Sequence, residues 1–85
     1  MQLVGASARE IMKELLKEAI KHGNTSIFFH NQDLAAKLGI TDLNFLQVCI
    51  KYLYDSQRLK YIRSDSGHDA YVEITSKGID FAEGD

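Results

Sequence analysis

Apolar residues first recur at helical spacing. Ala8, Ile11, Met12, Leu15, Leu16, Ala19 and Ile20 return every three or four residues, while Arg9, Lys13, Glu14, Lys17, Glu18 and Lys21 fill the positions between. That period marks a helix with one buried face. It predicts a helix over residues 7–22, behind a loose leader at 1–6. Ser7 and Glu10 fit a reciprocal capping box at its start. Lys21 and His22 suit the negative end, and Gly23 suits the left-handed residue that closes it.

The period then changes. Ser26, Ile27, Phe28 and Phe29 are short, β-branched or aromatic, and predict a brief strand over 26–29. Asn31 can cap a helix over 32–38, with Leu34, Ala35 and Leu38 inward and Gly39 at its end. Thr41 can cap a third helix running to about Ser56, with Leu43, Leu46, Ile50 and Leu53 toward the core. Two alternating runs at 59–63 and 70–74 flank the polar connector 64–69, which predicts a hairpin. Thr75 can cap a last short helix through Phe81. The predicted order is helix, strand, helix, helix, hairpin, helix. This is an α+β class: mostly α, with a small antiparallel sheet, in one domain over 1–85.

Composition changes this picture little. The chain has 85 residues, enough for one small core. Charge matters more: 10 Lys and Arg against 12 Asp and Glu leave a formal net charge of -2, whereas nucleic-acid binders are usually basic. The single cysteine, Cys49, excludes an intrachain disulfide and fits a reducing compartment. No apolar run has membrane length, and no secretory start is visible. The expectation is a soluble, cytoplasmic protein with no membrane partner.

Catalytic chemistry has little to stand on. His22, His30 and His68 lack the spacing of a zinc site, and Cys49 has no basic neighbour in sequence to activate it. The six glycines are scattered and make no phosphate cradle. Ser64, Asp65, Ser66, His68 and Asp69 share one hairpin tip, which cannot hold a triad. No enzyme activity, metal or cofactor is expected.

Three segments carry a family resemblance. Asp33-Leu34-Ala35-Ala36-Lys37-Leu38-Gly39-Ile40-Thr41 resembles the turn of a helix-turn-helix. Leu53-Tyr54-Asp55 followed by Leu59-Lys60-Tyr61-Ile62 resembles a recognition helix running into a first wing strand. Tyr71-Val72-Glu73-Ile74-Thr75-Ser76-Lys77-Gly78-Ile79 resembles a second wing strand entering a closing helix. Together they resemble the winged helix-turn-helix domain of small bacterial, archaeal and phage regulators, with the helix-turn-helix over 31–57 and the wing over 58–74.

The resemblance implies a DNA-binding transcriptional regulator, its third helix in the major groove of double-stranded DNA and its wing on the backbone. The positions it points to are Thr41, Asn44, Gln47 and Lys51 on the helix, Arg58, Lys60 and Arg63 on the first wing strand, and His68 at the tip. Asn and Gln suit adenine edges, and Lys suits guanine or phosphate. One departure stands out. Many relatives place glycine between the third helix and the wing, where this chain has Ser56, Gln57 and Arg58. The helix should then run on, or end without a left-handed residue.

A second function class stays open. Phe45, Val48, Cys49 and Tyr52 form another apolar stripe on the third helix, which a protein-interaction module would use. An exposed patch of Phe45, Val48 and Tyr52 would favour a protein partner; a basic ridge joining Lys51, Arg58, Lys60 and Arg63 would favour DNA. Leu3, Val4, Ile11, Leu15 and Phe81 on the terminal helices can form a homodimer interface or, on the simpler reading, pack against the second and third helices.

Overall fold

A computed structural model gives α1 (Val4–His22), β1 (Ser26–His30), α2 (Asn31–Leu38), α3 (Leu43–Asp55), β2 (Leu59–Ser66), β3 (Asp69–Ile74) and α4 (Ser76–Ala82). The structure describes residues 3–66 and 69–84, with 63–66 and 69–70 described by backbone alone. The class is α+β, and the element order is the expected one. No helix among the described residues is long and apolar enough to cross a membrane.

The three strands form one antiparallel sheet in the order β1-β3-β2. The core gathers the inward stripe of α1 (Ile11, Met12, Leu15), Leu46, Ile50 and Leu53 of α3, Val72 and Ile74 of β3, and Phe81 of α4. Burial of such side chains stabilises by roughly 1.5–3 kcal/mol each.

Several boundaries differ from expectation, some through a distant contact and some through local capping. α1 begins at Val4, so part of the expected leader is helical. Val4 packs against the core and its carbonyl lies 3.9 Å from the Cys49 thiol, which docks this extra turn on α3. Ser7 is therefore inside the helix, its N–H donating to the Leu3 carbonyl at 2.9 Å, and Glu10 pairs with Lys13 instead of closing a capping box. Ile20, counted in the inward stripe, is 74% exposed. Asn31 is not a cap but the buried first residue of α2. The cap of α3 is Asp42 rather than Thr41: its carboxylate accepts from the Asn44 N–H at 2.9 Å. The hairpin strands run on into the polar connector, to Ser66 and from Asp69.

The exit of α3 answers the missing glycine. Gln57 takes the left-handed conformation itself, at φ 64°. Its N–H donates to the Tyr54 carbonyl and the Arg58 N–H to the Leu53 carbonyl, the paired closure of a Schellman motif. Neighbours hold it there. The Thr75 hydroxyl lies 2.7 Å from the Gln57 carbonyl and 3.0 Å from that of Arg58, and accepts the Gly78 N–H at 3.1 Å. Gly78 has no side chain because there is no space for one: a Cβ would collide with the Arg58 carbonyl and stand 2.8 Å from Met12 Cε. The segment Thr75–Gly78 thus locks α4 onto the approach to β2.

Candidate functional site

α3 is capped, docked and closed so that one side stays bare. Asn44, Gln47, Val48, Lys51, Tyr52 and Asp55 are all exposed, and Thr41 is exposed just before the helix. At about 100° per residue they occupy roughly 140° of arc, a single outward face. Leu46, Cys49, Ile50 and Leu53 occupy the opposite side and are buried. The structure therefore brings Asn44, Gln47 and Lys51 onto one face, with Thr41 exposed in the segment that leads into it.

The electrostatics of that face are balanced. Lys51 Nζ sits 3.4 Å from Asp55, an exposed pair worth little and easily given up. Asp42 at the cap adds negative charge. Lys60 is exposed on β2, opposite Glu73. Arg63 belongs to β2 by its backbone, and its side chain lies outside what is described; His68 lies outside the described residues.

Arg58 does not extend a basic ridge. It is half-buried, its guanidinium 4.0 Å from the centroid of the Phe81 ring and 5.5 Å from that of Tyr52, and it donates to the Tyr52 hydroxyl at 3.2 Å. Arg9 covers the same Phe81 ring at 4.8 Å. Stacking of this kind holds a cation where it screens an aromatic ring from water. Nothing in the sequence spacing joins Arg9, Arg58 and Phe81; only the packing of α4 does.

The second apolar stripe of α3 is largely absorbed by the fold. Phe45 is half-buried against the core, and Cys49 is buried under the N-terminal turn of α1, where burial pushes its thiol pKa up. Val48 is 53% exposed and Tyr52 37%, the latter beneath Arg58. Only Val48 stands clear as an apolar side chain on the outward face.

Other groups have local explanations. Burial, and then the neighbouring Tyr61 ring 5.7 Å away, push the Tyr54 hydroxyl up to about 12. Burial raises the Glu18 carboxyl, but Lys37, Lys21 and His22 outweigh it and leave the pKa lowered. Among the described residues, no three His, Cys, Asp or Glu side chains gather as a metal site. Comparison of the chain with protein-family models, curated proteins and solved structures found no match, so no relative lends this face a function.

Proposed function

We propose that the chain is a winged helix-turn-helix domain that binds double-stranded DNA, as a cytoplasmic transcriptional regulator, with the outward face of α3 in the major groove. The element order, the sheet order β1-β3-β2 and the hairpin that follows α3 support the fold part of this reading. The observation that carries the function is the bare face of α3, which presents Asn44, Gln47, Val48 and Lys51 together with nothing packed on them. Asn44 and Gln47 have the paired donor and acceptor that adenine edges require, and Val48 suits a thymine methyl. Lys51, released from Asp55, reaches guanine or phosphate. Lys60 and Arg63 supply backbone contacts from the wing. Arg58 is left out of this set because its guanidinium is committed to Phe81 and Tyr52.

Few cations serve the interface, so affinity rests less on phosphate than is usual. With Lys51, Lys60 and Arg63 each neutralising one phosphate, the slope of log K against log salt is about -3. Fluorescence anisotropy with random duplex DNA across a salt series tests this. Binding that weakens with salt at about that slope supports the reading; no binding at low salt overturns it.

One observation favours the second reading, a protein-interaction module. Val48 and Tyr52 are exposed on the same face, next to an arginine already screened by aromatic rings. A domain that ignores DNA but loses a protein partner on Val48→Lys would establish that alternative.

A further inference from the structure

The two edges of the sheet are built differently. β2 is guarded: it carries Lys60, Arg63 and Asp65, and its register against β3 breaks between Tyr61 and Arg63 and again between Arg63 and Ser66. Charges and bulges of this kind keep an edge from pairing with another chain. β1, Ser26–His30, has no Lys, Arg, Asp, Glu or Pro, and pairs with β3 in unbroken register over all five residues.

The ladder shows which backbone groups of β1 face outward. The Ile74 N–H donates to the Thr25 carbonyl at 2.9 Å, in line with the register that sets Ile27 opposite Val72 and Phe29 opposite Ala70. Hydrogen-bonded pairs alternate along an antiparallel ladder, so Ile27 and Phe29 turn their backbone groups to β3, and Phe28 turns both of its own away. Ser26 agrees with this phase: its N–H points outward, to Asn24 Oδ1 at 2.9 Å. The Phe28 side chain is 47% exposed, with the His30 ring edge-on at 5.1 Å. A groove of about 170 Å³ borders the strand, lined by β1, α1 and α2 but by no residue of β3.

We propose that this edge is a homodimer interface, in which β1 pairs antiparallel with β1 of a second copy about a two-fold axis at Phe28. The occupant follows from the geometry. With Phe28 opposite Phe28 of the partner subunit, each N–H donates to the other carbonyl, and the same residue satisfies both sides, as an isologous interface requires. The two Phe28 side chains then stand as a cross-strand aromatic pair on one face of a continuous six-stranded sheet. β1 itself carries no Lys, Arg, Asp or Glu to meet its own copy at the axis, and the charges of the bordering groove, Glu14, Glu18, Asp33 and Lys37, belong to α1 and α2. This surface differs from the terminal helices, where Ile11, Leu15 and Phe81, candidates for a dimer interface, are buried in the core of the single chain, and the proposal does not depend on DNA binding.

Light scattering over a concentration series, combined with amide hydrogen exchange of the whole chain without DNA, tests it. The mass should double as concentration rises, and exchange at the Phe28 amide should slow by at least tenfold with the same concentration dependence. Phe28→Lys should give a monomer with an unchanged circular dichroism spectrum. Should that variant misfold, Phe28→Ala, which keeps the backbone groups and removes the ring, should weaken the dimer at least tenfold, as read by the same scattering series. A chain that stays monomeric with fast exchange at Phe28 overturns the proposal. So does a dimer in which the Phe28 amide exchanges freely and Phe28→Lys has no effect.

Discussion

The outward face of α3 and the corner at its exit are built from the same helix and follow opposite rules. At the corner every group is spoken for: Gln57 is left-handed, Thr75 ties two carbonyls, Gly78 makes room for one of them, and Arg58 lies on Phe81. On the face, Asn44, Gln47, Val48 and Lys51 touch little beyond their own helix. Substitution at the corner should therefore cost stability and spare recognition, and substitution on the face should do the reverse.

Gly78→Ala is the hardest blow to the corner. Its methyl must displace the Arg58 carbonyl or Met12, and overpacking of this kind costs about 2–3 kcal/mol, or roughly 10–20 °C in a thermal melt of so small a domain. Arg58→Ala comes next. Loss of the stacked guanidinium and its stem should cost about 1–2 kcal/mol in denaturant unfolding, with DNA affinity of the folded protein unchanged within twofold. On the face, Asn44→Ala and Gln47→Ala should leave the unfolding free energy within about 0.5 kcal/mol of the parent. Gln57→Gly sharpens the comparison from the other side. It relieves a left-handed non-glycine residue and should stabilise by up to about 1 kcal/mol, less whatever the Lys77 contact to the Gln57 side chain contributes.

The smallest effect belongs to pH. The Glu18 carboxyl is lowered in the folded state, so its contribution is present above the usual carboxylate pKa and is lost as pH falls through the lowered value. Glu18→Gln should flatten the acid limb of a melting-point profile slightly, with little change at neutral pH.

Local chemistry made much of the fold readable. Gly23 and Gly39 do end their helices in the left-handed conformation, Thr75 does cap α4, and the change from helical to alternating period does mark the hairpin. Apart from capping residues misplaced by one position at α2 and α3, failures arose where a distant contact decided. The start of α1 depends on Val4 meeting Cys49, a separation of 45 residues that no periodicity expresses. The left-handed turn at Gln57 depends on Thr75, and the fate of Arg58 depends on Phe81. Sequence reading grouped Arg58 with Lys51 and Lys60 by charge, whereas packing separated them. The exposed members of the candidate face were legible because they follow from helix phase alone. The free edge of β1 was not, because strand order is a property of the whole sheet.

The measurement that tests the central claim most directly is duplex DNA affinity of the Asn44→Ala, Gln47→Ala double variant beside that of the parent, on a site selected by the parent from random sequence. The account predicts a loss of about 10-fold or more for the selected site, in keeping with ~1–3 kcal/mol per bidentate base contact, and little change on random DNA. Equal affinity of the two proteins for the selected site, with the fold intact, would contradict it.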